Sequence, residues 1–230
     1  RVTPLMFQHD LLARARAQRR HIVLPEGAEE RVLRAAEIVR LRDVVDLTLL
    51  GNPAEVGEKI AALGLRLDGV RIVDPLTSEW REDFGKTYFE LRKHKGISPQ
   101  MAFDAMADVS AFGTMMVHRG LADGMVSGAV HTTQHTIRPA LEFVRTRPGV
   151  SIVSSVFFMA LEDHVPLYGD RAANPHPTPA QLADIAPPSA PPASADGSDC
   201  RKIALATGDL APRSERPRRR REPPGGRVDQ

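Results

Sequence analysis

The sequence predicts an α/β fold, a mostly parallel sheet with helices on both faces. Two observations carry this. Short apolar runs at residues 21–24, 47–50 and 70–73 each end in Pro, Gly or Asn turn chemistry. Between them lie longer runs of helical period, so strand, helix, strand, helix, strand follow at the spacing of βαβ units. Connections of that kind are right-handed and leave the strands parallel and covered.

Each element has its own local warrant. Residues 10–20 place Leu11, Leu12 and Ala15 on one side and arginines on the other, the pattern of a short amphipathic helix. The strand at 21–24 closes at Pro25 and Gly27. Over 29–40, Val32, Leu33, Ala36, Ile38 and Val39 give a mostly helical period. LTLL at 47–50 runs into Gly51-Asn52-Pro53, a helix follows over 55–63, and VRIV at 70–73 ends at Asp74-Pro75. A long charged helix is predicted over 78–95 and another from Pro99 through Met106, followed by an apolar segment at 112–117. Residues 151–161 are nearly continuously apolar, which marks them as the candidate central strand. A last helix is expected over 178–185, with Pro179 near its first position.

Composition bounds the function classes. The chain has 230 residues, 31 Lys/Arg and 29 Asp/Glu. Residues 187–230 hold nine of the basic and six of the acidic groups, which leaves the first 186 residues at −1. The body is near neutral and the basic excess lies in the tail. That tail is rich in Pro and Arg without apolar period, so disorder is expected there. Its arginine run, Arg218–Arg221, has no aromatic companions, and nucleic acid is not an expected partner. No apolar run approaches the roughly 20 residues of a membrane span. With Cys200 as its one cysteine the chain has neither a disulfide framework nor a cysteine zinc cluster, which fits a reducing, cytoplasmic setting.

Residues 123–138, DGMVSGAVHTTQHTIR, read as a strand emptying into a loop and a helix start. There backbone N–H groups and the helix dipole favour an anion, so the stretch is the expected floor of a phosphate site. Ser127, Gly128, His131, Thr132 and Thr133 are its loop groups, able to donate to phosphate or to a developing oxyanion. Arg138 precedes Pro139, which predicts a regular helix from about Pro139 with Thr136 or Ile137 near the cap. An arginine at that junction either grips phosphate bidentately or pairs with a nearby carboxylate. Arg92 in LRKHKG either complements a helix C-terminus or adds to a field that draws in a phosphorylated substrate. His131 and His135 are four apart with no third ligand nearby, so no metal is expected. Walker and GxGxxG loops are absent, which leaves a nucleotide-hydrolase reading without a motif.

Seven motifs together resemble the phosphate acetyltransferase family over residues 3 to about 186. They are TPLMF at 3–7, IVLPEG at 22–27, LLGNP at 49–53, ELRKHKG at 90–96, DGMVSGAVHTT at 123–133, TIRPAL at 136–141 and SSVFFM at 154–159. The first is similar to the entry to the catalytic domain of the long, multi-domain form. The resemblance implies a two-subdomain α/β architecture, incomplete here, with the active site in a cleft and a homodimer as the assembly. It implies reversible acetyl transfer between acetyl phosphate and coenzyme A by direct thiolate attack, with coenzyme A as substrate and no resident cofactor. Phosphate butyryltransferase is the related alternative, and a non-catalytic phosphate-binding remnant is another. The family's two phosphate-handling arginines match Arg92 and Arg138.

The family's general base, an aspartate, and a serine and arginine near it belong to a C-terminal half that does not follow here. The resemblance ends at Ala186, and the composition beyond it is that of GC-rich coding sequence read out of frame. Residues 1–186 are therefore expected to be a partial catalytic domain, inactive by itself, with 187–230 non-native. An uncovered sheet edge and poor solubility are the expected physical results.

Overall fold

The computed structural model describes residues 3–146, 153 and 155–169. The helix expected at 178–185, the tail at 187–230 and Cys200 lie outside the described residues. The chain opens with α1 (Pro4–Ala17), capped by the Thr3 hydroxyl. It then alternates β1 (His21–Leu24), α2 (Glu30–Leu41), β2 (Asp46–Leu50), α3 (Pro53–Ala62) and β3 (Arg71–Val73). Each helix start has a local cause. The Glu29 carboxylate accepts from the N–H groups of Arg31 and Val32, and Asn52 does the same for Ala54 and Glu55 with Pro53 just inside the helix.

The crossover after β3 is long. It contains α4 (Trp80–Arg92), a 3-10 turn at Lys93–Lys95 closed by Gly96 in the left-handed region, α5 (Pro99–Ala105) and α6 (Val109–His118). The apolar segment at 112–117 is thus helical. Seven of the ten residues of α6 are buried, as expected of a helix that is apolar all round. Then come β4 (Gly124–Met125), α7 (Thr133–Phe143), β5 (Val156–Phe158) and β6 (Leu167–Gly169).

The main sheet has the order β3-β2-β1-β4 and is parallel throughout. Side-chain alternation along the strands builds a core on each face. Val23, Leu50 and Val73 pack with Phe84, Met106, Phe112 and Met115 from the long crossover. Leu49 packs on the opposite face with Leu33 and Ala36 of α2 and Val56 of α3. No helix among the described residues is long and apolar enough to cross a membrane.

The central-strand expectation for 151–161 is corrected. Its described part contributes only β5, which pairs antiparallel with β6 in a separate two-stranded sheet. Phe157 and Phe158 remain about two-fifths exposed, at 43% and 40%. An apolar run measures side-chain chemistry, and by itself it does not say which sheet a strand joins.

Candidate active site

The strand order reverses at β1. The chain steps from β1 to β2 to β3 in one direction, then returns to place β4 on the other side of β1. In open α/β sheets, ligands bind outside the carboxyl ends of the strands at such a switch point. Glu26 lies just past the end of β1, and the loop 126–131 lies just past the end of β4. They meet there.

Gly27 makes the approach possible. Its N–H donates to the Leu50 carbonyl at 3.1 Å, and a β-carbon built on it would lie 2.6 Å from that oxygen. The turn after β1 is thereby pinned to β2, and Glu26 is aimed across the strand ends. On the other side Gly128 adopts a φ of 118°, in the region open to glycine. Four successive N–H groups then turn toward one carboxylate. Gly128 and Ala129 donate to Glu26 Oε2 at 3.0 and 2.8 Å, and Val130 and His131 donate to Oε1 at 2.8 and 2.7 Å. The His131 ring adds Nδ1 at 2.9 Å from Oε1. Such a run of backbone donors is an anion-binding nest. The anion expected on this loop is supplied by the chain itself.

The Glu26 side chain is only 3% exposed. Burial pushes its carboxyl pKa up, but the N–H groups of His131, Val130, Ala129 and Gly128 outweigh burial and hold it at about 2. Arg31 of α2 ties the same loop from outside, donating to the Ala129 carbonyl at 2.6 Å.

The loop leads into α7 six residues earlier than the sequence predicts. Thr132 is the cap, its hydroxyl accepting from the His135 N–H, and Pro139 is buried inside the helix. Proline is best tolerated in a first turn, which is why Pro139 reads as a start. Here it falls at the seventh helical position, where it removes one backbone donor and tertiary packing outweighs that loss. Arg138 is consequently a mid-helix residue. Its Nε donates to Glu142 Oε1 at 3.0 Å, one turn further on.

Arg92 reaches the same carboxylate from the last turn of α4, at 3.7 Å from Glu142 Oε1. Tyr88, one turn before Arg92, donates its hydroxyl to Glu142 Oε2 at 2.9 Å. Burial and then the hydrogen bond to Glu142 raise the Tyr88 pKa, while hydrogen bonding to Glu142 raises that of Arg138. Tyr88, Arg138 and Glu142 border an open groove of about 430 Å³ between α7 and the α4–α6 layer, lined also by Thr132, Asp108 and His135. The His135 ring stands 2.9 Å from Asp108 Oδ2. It stacks on the His131 ring with centroids 4.6 Å apart and planes at 14°. Two rings stacked in this way do not converge on one point as metal ligands do.

The fold thus unites Arg92, Arg138 and Thr132 around one groove, with Arg92 acting through Glu142 and not lining the groove itself. Gly128 and His131 belong to the Glu26 nest. The Ser127 hydroxyl lies 3.4 Å from that of Thr136, and Thr133 opens α7. Glu26, Tyr88, Asp108 and Glu142 are missing from the sequence-based site. A signal existed for Glu142, which stands four residues after an arginine on a helix. For Glu26 the one signal was its place in the IVLPEG motif, because its partners, four backbone groups and the His131 ring, lie more than 100 residues away.

The comparisons with known proteins decide the family. The phosphate acetyl/butaryl transferase family model matches residues 6–207. The chain belongs to this family. Among curated members, phosphate acetyltransferase of Nitratidesulfovibrio vulgaris is 58% identical over 186 residues, 81% of this chain and 26% of the relative. The Corynebacterium glutamicum enzyme is 46% identical over 200 residues, 87% of this chain and 61% of the relative. A phosphotransacetylase structure from Streptococcus pyogenes superposes with a TM-score of 0.80 at 34% identity, over 86% of this chain and 60% of that one. This phosphate acetyl/butaryl transferase family member therefore spans less than two thirds of the relatives it matches.

Proposed function

We propose that the chain carries the phosphate-handling side of a phosphate acetyltransferase site. Acetyl phosphate is the substrate, and its acetyl group passes reversibly to the coenzyme A thiolate by direct attack at the carbonyl carbon. The observation that carries this reading is the convergence of Arg92 and Arg138, 46 positions apart, on one carboxylate oxygen beside an open groove. A phosphoryl group matches the planar guanidinium fork as a carboxylate does, and two cations neutralise the charge that develops on departing phosphate. Thr132, at the head of α7, borders the same groove.

Acetyl is favoured over butyryl because relatives 46–58% identical to this chain are named phosphate acetyltransferases. Coenzyme A acts as a substrate. A homodimer in the cytoplasm accompanies the activity in this reading, and residues 1–186 form its catalytic portion.

The test is coenzyme A-dependent release of phosphate from acetyl phosphate and from butyryl phosphate. It is measured on residues 1–186 continued with the C-terminal region of a phosphate acetyltransferase, and on the 230-residue chain in parallel. In the continued chain, Arg138→Ala is expected to lower acetyl transfer by roughly 100-fold or more. Transfer that survives this substitution sinks the placement of the site. Faster turnover of butyryl phosphate sinks the acyl assignment.

A further inference from the structure

Glu142 is the meeting point of the groove. Arg138 Nε, Arg92 and the Tyr88 hydroxyl all approach its carboxylate, whose side chain is 15% exposed. The plain explanation is an ordinary helical pair, since Arg138 and Glu142 are four apart. Three features exceed that explanation. The carboxylate faces two guanidinium groups from different helices. Arg92 Nε is buried and makes no hydrogen bond among the described residues. The Arg138 side chain is 74% exposed, so its outer edge opens to solvent at the groove. Two arginines thus offer more donors than one carboxylate accepts. A tetrahedral oxyanion with three acceptor oxygens fits that surplus better.

We infer that Glu142 sets the phosphate affinity of the groove: its carboxylate stands on the guanidinium edges that a phosphoryl group takes, and gives them up when one binds. The inference rests on the phosphate reading above and deepens it. Negative charge at Glu142 also repels the incoming group, so the residue lowers affinity for product phosphate as well as for substrate. A residue that merely oriented Arg138 acts in the other direction, because its loss leaves the arginine less ordered and binding weaker.

Isothermal titration of inorganic phosphate into the full 230-residue chain, at constant ionic strength with chloride as the balancing anion, separates the two. Glu142→Gln keeps the shape and the acceptor for Tyr88, and is expected to tighten phosphate binding by roughly three- to tenfold. Glu142→Leu, which has no hydrogen-bonding group, is expected to shift affinity in the same direction. Arg138→Ala is expected to weaken binding and to abolish the gain from Gln in the double variant. Unchanged or weaker binding in both Glu142 variants, with an affinity that still depends on Arg138, overturns this inference alone. Affinity indifferent to Arg138→Ala overturns the phosphate reading and this inference with it.

Discussion

Glu26 and Glu142 are both carboxylates lodged where an anion is expected, and the chain holds them in opposite ways. Glu26 is enclosed by backbone: four N–H groups of one loop and a histidine ring, at 2.7 to 3.0 Å, with almost no exposure. Glu142 is held by side chains, two arginines and a tyrosine, beside an open groove. Backbone donors cannot turn away without refolding the loop, so the first seat is structural. Long side chains re-pair at little cost, so the second is suited to exchanging its occupant. The difference teaches that an anion-binding backbone motif and an anion-binding function need not coincide in one fold.

The sharpest way to break this contrast is to remove Glu26. Glu26→Ala leaves several buried N–H groups without an acceptor and is expected to cost about 4 kcal/mol of stability, read from the denaturant midpoint. A loss near zero would place Glu26 with Glu142 as a replaceable group. Acid gives a graded version. The folded carboxyl pKa of about 2 lies below its ordinary 4.5, so the stabilisation is complete above about pH 4.5 and is lost as pH falls toward 2. The shift corresponds to about 3 kcal/mol. Denaturation of the native chain and of Glu26→Gln from about pH 6 downward is expected to show two stability curves that converge in acid. Curves that stay parallel contradict the seat's assignment to Glu26. The smallest effect is expected at the other seat, where Glu142→Gln changes stability by less than about 1 kcal/mol because Gln keeps an acceptor, Arg138 is largely exposed and Arg92 stands 3.7 Å away. A larger loss would show Glu142 to be part of the scaffold.

Much of the fold was legible because local chemistry and tertiary packing agree there. Pro25-Glu26-Gly27 ends a strand in the sequence and in the structure, and Asn52-Pro53 starts a helix in both. Agreement fails at two places. Pro139 carries a local signal for a helix start, and the packing of α7 overrides it. The apolar run at 151–161 is strand-like in chemistry, yet its described portion pairs with Leu167–Gly169, a partner that hydrophobicity alone does not choose. The site divides in the same way. Arg138 was visible with both of its alternatives, phosphate or carboxylate, and the geometry shows the carboxylate on the guanidinium. Arg92 was visible through its neighbours Lys93, His94 and Lys95. Its convergence with Arg138 was not, because it depends on how α4 crosses α7.

The contact of Gly27 with the Leu50 carbonyl also bears on which sequences can encode this architecture. A methyl group there meets a backbone oxygen at 2.6 Å, and backbone cannot step aside as a flexible side chain can. At Gly57, inside α3, the same methyl group meets nothing within 4 Å and improves helix propensity. One glycine is a gate through which every viable variant passes, and the other is an open door. The neighbourhood of permitted sequences is therefore narrow around Pro-Glu-Gly and wide a short distance along the chain.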